Sequence, residues 1–216
     1  MTFRDRADAG RQLAAKLRDH ALGDALVLAL PRGGVEVGFE VARALRVPLD
    51  VIPVRKLGAP HQPELAIGAI APGAVVLNEH LVRELGIRDD TIEDVVSAET
   101  HEMQRRADLF RSGRPLLDVK GKTVIVVDDG LATGATAAAA IRSARLGTPG
   151  RILLAVPVGA RETVQALREI VDELVCLETP AAFQSVGQWY ENFEQTSDDR
   201  VIDLLAQAAP ARMSTS

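Results

Sequence analysis

Cysteine and long apolar runs are nearly absent from this 216-residue chain. The single cysteine, Cys176, cannot form an internal disulfide, and its apolar neighbours indicate a small buried hydrophobe rather than a catalytic thiol. The longest apolar stretches fall well short of the roughly 18–20 residues that span a bilayer, and the N-terminus lacks the apolar segment of a signal peptide. We therefore expect a soluble, cytoplasmic protein that does not act at membranes.

Positive charge is also scarce. The chain has 25 Lys and Arg residues against 30 Asp and Glu residues, and the resulting net charge of −5 disfavours a protein that coats DNA or RNA. Only four of the basic residues are lysines, so the position of each lysine is informative. Hydrophobic residues nevertheless make up 47% of the chain, which is enough for a buried core, and the length is typical of one domain.

Aromatic residues are few and unevenly distributed. The chain has five Phe, one Trp and one Tyr, and four of these seven rings fall between Phe183 and Phe193. A core made mainly of Ala, Leu and Val does not require aromatic rings at one place in the sequence. The cluster therefore indicates a local role for that segment.

Short apolar runs alternate with helical patterns along most of the chain. Runs rich in Val, Leu and Ile predict strands of a largely parallel sheet at Ala25–Leu30, Asp50–Val54, Val75–Asn78, Thr123–Asp128, Ile152–Val156 and Leu174–Leu177. The patterns between them predict helices at Asp5–Arg18, Val35–Leu45, Thr91–Arg111, Ala135–Leu146 and Arg161–Val171. This alternation indicates an α/β fold with an open, mainly parallel, twisted sheet flanked by helices. We expect one domain over residues 1–205 and a flexible tail over residues 206–216.

The most informative turn follows the predicted strand Thr123–Asp128, at the end of the strand where such sheets bind ligands. Two carboxylates, Asp128 and Asp129, end the strand, and a turn of small residues, Ala132–Thr136, then opens a helix. The backbone N–H groups and hydroxyls there suit a phosphate monoester, and the carboxylates suit the vicinal hydroxyls of an attached sugar. An ordinary strand–turn–helix with surface aspartates is the alternative, but the whole combination is much rarer than its parts.

Two other strand ends carry glycine-rich or basic turns. The turn Pro31–Gly34 permits close approach of a ligand to backbone N–H groups, and Arg32 adds a fixed positive charge. Arg55 and Lys56 follow the next predicted strand, and this position favours a functional pair over a merely solvated one. The chain has neither the Walker-type phosphate loop nor the glycine spacing of a dinucleotide-binding turn.

The segment Val124–Thr136, VIVVDDGLATGAT, resembles the 5-phosphoribosyl-1-pyrophosphate (PRPP) binding motif of type I phosphoribosyltransferases, and the other turns resemble the family's loops in the same order. The resemblance implies that the two aspartates hold the ribose hydroxyls, that the small-residue turn holds the 5′-phosphate, and that the basic turns contact pyrophosphate. It also implies Mg²⁺ as a cofactor, carried mainly by PRPP near the aspartates with no direct protein ligand assigned, and a homodimer. The residues implied for PRPP binding are Arg32, Gly33, Gly34, Asp128, Asp129, Ala132, Thr133, Gly134, Ala135 and Thr136. The residues implied for catalysis are Asp128, Asp129, Lys56 and Arg55.

The segment Leu57–Glu64 resembles the mobile loop with which the family covers PRPP. It combines Gly, Pro and polar residues without an apolar period. It contains His61 and Glu64, whose roles the sequence leaves open.

The acceptor is also left open. In the 6-oxopurine enzymes of the family an aspartate occupies the position that is Ala132 here. The Asp128–Thr136 segment is instead closest to the adenine enzyme's form, whereas the segment after Lys56 matches neither the adenine nor the orotate enzyme. The chain therefore resembles a less characterised branch of the family.

The aromatic cluster follows the last predicted strand, where family members often complete a hood over the acceptor. We expect such a C-terminal hood over about residues 178–200, with the N-terminal helix as a further contributor. Phe183, Trp189 and Tyr190 are the predicted acceptor-binding residues, because aromatic faces stack on planar bases. A hydrophobic plug or a dimer contact is the alternative explanation of the same rings.

The function that follows is a phosphoribosyltransferase of nucleotide metabolism and nucleoside salvage. It would use PRPP and Mg²⁺ to transfer phosphoribose to a nucleobase-like or other nitrogen acceptor, with release of pyrophosphate. One alternative is a regulatory protein on the same fold that binds PRPP or a nucleotide without turnover. Another is an accessory domain with vestigial activity, which the intact acidic pair and basic pair disfavour.

Overall fold

A computed structural model describes residues 2–60 and 62–208 of the chain. A short 3₁₀ helix, Gly187–Trp189, lies in residues 179–197, which connect the last strand to the last helix and are called the C-terminal segment below. In chain order the other elements are α1 (Arg6–Leu17), β1 (Ala25–Ala29), α2 (Gly33–Leu45), β2 (Leu49–Val51), β3 (Arg55–Ala59), β4 (Gln62–Ala71), β5 (Ala74–Leu77), α3 (Glu79–Glu84), α4 (Asp89–Arg111), β6 (Thr123–Val127), α5 (Ala135–Leu146), β7 (Arg151–Val158), α6 (Arg161–Arg168), β8 (Glu173–Glu178) and α7 (Asp198–Ala208).

A five-stranded parallel sheet forms the centre of the molecule, which confirms the predicted α/β class. Its strand order is β2-β1-β6-β7-β8, and each neighbouring pair is parallel. From β1 the chain continues to one side, through α2 to β2, and from β6 it continues to the other side, through α5 to β7. The direction of winding therefore reverses between β1 and β6, and a crevice opens outside the carboxyl ends of such strands.

Both faces of the central strands are buried by helices. Val27 and Val127 pack in a core that includes residues of α1, α2 and α7. Leu28 and Val126 point to the opposite face and pack in a second core with residues of α5 and α6. Burial on both faces explains why these strands are continuous apolar runs, and why the sequence pattern identified them.

The segment that follows β2 differs from the prediction. The predicted strand Val75–Asn78 corresponds to β5, but β5 lies in a separate antiparallel sheet of order β3-β4-β5 rather than in the parallel sheet. Most of the predicted loop Leu57–Glu64 lies in β3 and β4, which pair with register shifts around Gly58. The prediction of an irregular loop is therefore wrong for these residues, and His61 lies outside the described residues. Whether this hairpin moves over a ligand stays a prediction.

Small residues conceal the strand signal in β4. The strand reads QPELAIGAIA, in which alanine and glycine replace the alternating large side chains that mark a half-buried strand. Gly68 is required by a close approach, because a Cβ there would collide with the backbone carbonyl oxygen of Val76 on β5. The tertiary contact between neighbouring strands, rather than local propensity, thus decides the structure of this segment.

The C-terminal helix α7 is an element that the sequence interpretation missed. Val201, Leu204 and Leu205 are buried in the same core as α2. The predicted flexible tail, residues 206–216, overlaps the end of this helix over residues 206–208, and its remainder lies outside the described residues.

Cys176 is half-buried on β8. Burial raises the pKa of its thiol to about 11, so the thiol is protonated at neutral pH. This environment fits the predicted packing role. Within residues 2–60 and 62–208, no helix is both long enough and apolar enough to cross a membrane.

The packing of Phe110 gives a test of the core. This ring of α4 is 1% exposed in the core that contains α2 and α7. We expect Phe110→Ala to lower the free energy of unfolding by about 3–5 kcal/mol in urea denaturation, because it removes a fully buried ring. The matched control is Leu109→Ala, at the neighbouring position of the same helix, which is 39% exposed; the expected loss there is under about 1 kcal/mol. Equal losses in the two variants would contradict this packing.

Candidate active site

The turns after β1 and β6 face each other across a cleft of about 320 Å³ at the reversal point of the sheet. Two residues of the C-terminal segment, Val186 and Phe193, complete its wall. The structure brings most of the predicted site residues to this cleft, namely Arg32, Gly33, Lys56, Asp128, Asp129, Ala132, Thr133, Gly134 and Thr136.

The remaining predicted residues of the PRPP site lie beside the cleft. Gly34 is buried in the first turn of α2, and Ala135 is the first residue of α5. Arg55 lines an adjoining cleft of about 600 Å³. The two clefts share Pro31, Arg32, Val54, Lys56 and Thr136.

The acidic pair is held by hydrogen bonds from three groups. Oδ1 of Asp128 accepts a hydrogen bond from the backbone N–H of Asp129 at 2.9 Å. Oδ2 of Asp129 accepts from Nε of Arg6 at 2.8 Å, and the Tyr190 hydroxyl donates to the backbone carbonyl of Asp129 at 2.6 Å. Both the side chain and the backbone of Asp129 are therefore fixed by the protein itself.

Burial is the largest influence on the pKa values of the two aspartates. Burial and the neighbouring charge of Asp129 raise the pKa of Asp128 well above its usual value, and Lys56 opposes the shift. Burial also raises the pKa of Asp129, while the ion pair with Arg6 acts in the opposite direction. The site thus holds two neighbouring carboxyl groups in a poorly solvated place, where nearby positive charge and hydroxyl donors favour their ionised forms.

The glycines of the first turn allow α2 to begin against the acidic pair. A Cβ at Gly33 would collide with Oδ2 of Asp129, and a Cβ at Gly34 would lie 2.9 Å from the carbonyl oxygen of Val127. The Pro31–Arg32 peptide bond that precedes them is cis. Because the N-terminus of a helix carries partial positive charge, this approach also favours the nearby carboxylates.

Within the described residues, no side chain caps the first N–H groups of α5. The N-cap residue is Gly134, which has a left-handed φ of 75° and no side chain with which to cap the helix. The first helical turn contains no acidic residue. A Cβ at Gly134 would lie 2.6 Å from the methyl group of Thr163, whose hydroxyl donates to the carbonyl of Ala132 at 2.6 Å. A fixed turn with open N–H donors at a helix N-terminus is suited to binding an anion such as phosphate.

Lys56, Arg55 and Arg32 differ in whether an acidic side chain already pairs with them. Lys56 is exposed and forms no ion pair with another residue in the described parts of the chain. Arg55 is paired with Glu99 of α4, with Nε 2.7 Å from the carboxylate. Arg32 has a longer contact of 3.6 Å with Asp198. Of the three, Lys56 is therefore the cation most available to an incoming ligand.

The predicted acceptor residues pack mainly against the N-terminal segment. Phe183, Trp189 and Tyr190 belong to a hydrophobic cluster with Phe3, and the backbone N–H of Phe3 donates to the carbonyl of Trp189 at 2.8 Å. Tyr190 is 6% exposed, and its hydroxyl is engaged by the backbone of the acidic pair. This packing corresponds to the plug that the sequence left as an alternative. An acceptor-binding role for the three rings stays a prediction.

Sequence reasoning did not name Phe193, Val186 or Arg6 as individual site residues. Phe193 and Val186 line the cleft and lie within the predicted hood, but the predicted acceptor residues were their neighbours Phe183, Trp189 and Tyr190. Arg6 reaches Asp129 from the first turn of α1, across 123 positions of sequence. A basic residue in an N-terminal helix has no sequence signal for such a partner, so only the packing of α1 could identify it.

The raised pKa of Asp128 predicts a pH-dependent gain of stability in Asp128→Asn. The folded chain holds the Asp128 proton to higher pH than the unfolded chain, so ionisation of this carboxyl costs folding free energy once the pH exceeds the unfolded value of about 4. We expect the melting temperature of Asp128→Asn to rise relative to wild type as the pH increases from about 4 to 8. Thermal melts of both proteins across this range test it, with Asp24→Asn, exposed before β1, as the control. A difference that is constant with pH would contradict the raised pKa.

The chain is similar to known proteins in both sequence and structure. The family model for the phosphoribosyl transferase domain matches residues 3–192 of the chain. Proteins named "Putative phosphoribosyl transferase" in two strains of Mycobacterium tuberculosis are 50% identical to the chain over 207 residues, which is 95% of this chain and 47% of theirs. The chain thus spans about half the length of the curated relatives that it matches.

Solved structures agree with the architecture. The crystal structure of TT1426 from Thermus thermophilus has a TM-score of 0.82 at 40% identity, and the match covers 97% of this chain and 100% of that one. The AQ2163 protein from Aquifex aeolicus has a TM-score of 0.53 at 13% identity over 84% of this chain and 78% of its own, which is a likeness of fold alone. With a family model matched over most of its length, this chain belongs to the phosphoribosyl transferase domain family.

Proposed function

We propose that this domain transfers the 5-phosphoribosyl group of PRPP to a nitrogen acceptor and releases pyrophosphate. The observation that carries the proposal is the meeting, in one cleft, of the acidic pair after β6 and the open N-terminus of α5. A sugar phosphate needs these two chemistries side by side: acceptors for vicinal hydroxyls and donors for a phosphate. Family membership supports the same general activity.

The 5′-phosphate is assigned to the turn of residues 132–136. Ala132 and Thr133 are exposed to the cleft, and the helix N-terminus adds partial positive charge without a competing acidic side chain. The ribose hydroxyls then fall toward Asp128 and Asp129, whose carboxylates accept hydrogen bonds. A carboxyl group can accept hydrogen bonds in either protonation state, so this contact orients the sugar.

The pyrophosphate is assigned to the basic side of the cleft. Lys56 is available there, and the turn at Arg32 brings a second cation to the wall shared by the two clefts. When the bond from the anomeric carbon to pyrophosphate breaks, negative charge grows on the leaving group and positive charge grows on the ribose. Fixed cations at the first position and carboxylates near the second stabilise both changes, so the protein acts by positioning and electrostatics.

The donor set fits Mg²⁺ held mainly by the ligand. Within residues 2–60 and 62–208, no group of three or more His, Cys, Asp or Glu side chains is arranged to hold a metal ion. Asp129 is engaged by Arg6, which leaves Asp128 as the carboxylate of the pair without an arginine partner. Mg²⁺ binds proteins through one or two carboxylates together with substrate phosphates and water, and this site offers that number. When bound, the ion would neutralise charge on pyrophosphate.

Binding of PRPP tests the roles of the acidic pair. We expect Asp128→Asn and Asp129→Asn each to weaken PRPP binding by roughly 10–100-fold in calorimetric titrations with Mg²⁺, because each change replaces one of the two carboxyl oxygens that can accept from a ribose hydroxyl with an amide NH₂ group. Asp24→Asn, at the opposite end of the parallel sheet, is the matched control and should bind as wild type does. Unchanged PRPP binding in both site variants would show that the sugar is not bound by Asp128 and Asp129.

Turnover is tested separately from binding. Wild-type protein is incubated with PRPP, Mg²⁺ and a panel of nucleobases and other amines, and the release of pyrophosphate is measured. The proposal expects release with at least one acceptor. PRPP binding without release for any acceptor would favour a regulator that binds without turnover, and absence of PRPP binding would reject both.

A further inference from the structure

Arg6 contacts two residues that line the cleft, Asp129 and Phe193, and does not line it itself. Its Nε donates to Oδ2 of Asp129 at 2.8 Å, on the wall that follows β6. Its Nη1 donates to the backbone carbonyl of Glu194 at 2.6 Å, and its Cζ lies 3.9 Å from the centre of the Phe193 ring. The residue is 7% exposed. The N-terminal helix therefore supplies one cation that binds a carboxylate and an aromatic wall at once.

The chemistry of this contact suits arginine in particular. A planar guanidinium has several N–H donors in fixed directions and a face that stacks on aromatic rings, so it can satisfy a carboxylate, a carbonyl and a ring together. A lysine ammonium could pair with the carboxylate but could not reproduce the stacked geometry. The carboxyl group is poorly solvated, and the ion pair with Arg6 opposes the rise in pKa that burial causes.

We propose that Arg6 is a positioning residue for the sugar. It holds the Asp129 carboxylate so that its free lone pairs face the ribose hydroxyls, and it connects that carboxylate to the Phe193 ring, which also lines the cleft. The proposal rests on the proposed function, since it takes Asp129 as a ribose-binding carboxylate. Arg6 acts through Asp129 and does not itself contact the ligand.

Two small probes separate this role from general damage to the site. Ribose 5-phosphate carries the hydroxyls and the 5′-phosphate, whereas inorganic phosphate carries only the anion. We expect Arg6→Met to weaken ribose 5-phosphate binding by about tenfold or more and to change inorganic phosphate binding by less than about twofold, in NMR titrations. Equal weakening of both probes would overturn the proposal, because it would indicate distortion of the whole cleft.

Two further variants control for charge and for the helix. Arg6→Lys should recover part of the loss, because its ammonium still pairs with Asp129. Arg11→Met removes another arginine of α1, one that contacts Asp8 and Glu40 rather than the cleft, and should bind ribose 5-phosphate as wild type does. A loss in Arg11→Met as large as that in Arg6→Met would overturn the proposal.

A double-mutant cycle tests whether Arg6 acts through Asp129. In the Asp129→Asn background, Arg6→Met should weaken ribose 5-phosphate binding by less than about twofold, because the carboxylate that it positions is already gone. Losses that multiply in the double variant would overturn the proposal. If Arg6→Met does not fold, the same cycle is run with Arg6→Lys, which keeps a charge beside the carboxylate.

The outcomes distinguish this proposal from the transferase activity. If the wild-type protein binds ribose 5-phosphate but releases no pyrophosphate from PRPP, only the transferase activity is rejected. The double-mutant cycle with Arg6 then still decides whether Arg6 positions Asp129. Absence of ribose 5-phosphate binding in the wild-type protein overturns the positioning role.

Discussion

The ion pair between Asp129 and Arg6 is the interaction on which the geometry of the cleft depends. The carboxylate stands beside a second carboxylate and against the first turn of α2, where only glycine leaves room for it. A poorly solvated charge in such a place requires a partner, and here the partner comes from the N-terminal helix. Since the same guanidinium binds the carbonyl of Glu194 and stacks on Phe193, one pairing brings α1, the end of β6 and the C-terminal segment together.

Charge in this protein is organised locally rather than globally. The chain is acidic overall, yet the strand ends at the cleft carry Arg32, Arg55 and Lys56. Two of these cations form ion pairs with acidic residues of other elements, whereas Lys56 forms no ion pair in the described residues. Because screening limits exposed charges to a range of about 10 Å, a few cations at one edge can bind an anion on a negatively charged protein.

The aromatic rings that are scarce in the sequence have a structural task at this edge. Phe183, Trp189 and Tyr190 belong to one hydrophobic cluster with Phe3, in which the Tyr190 ring contacts the Phe3 ring. The Tyr190 hydroxyl reaches the backbone of the acidic pair. Phe193, which ends the cluster, is the ring that lines the cleft. Three rings of the cluster thus pack beside the cleft, and the fourth, Phe193, lines it.

The sequence by itself determined the five strands of the parallel sheet and the turns that follow β1 and β6, because a buried strand, its turn and the following helix are contiguous and their residue types are local requirements. It wrongly added β5 to that sheet. It could not determine β3 and β4, where alanine and glycine remove the periodic signal and pairing between strands decides the structure. Nor could it identify Arg6 or distinguish Phe193 from the neighbouring rings. Those residues meet the acidic pair through contacts that cross most of the chain, and only the packing of the folded protein decides which side chains meet there.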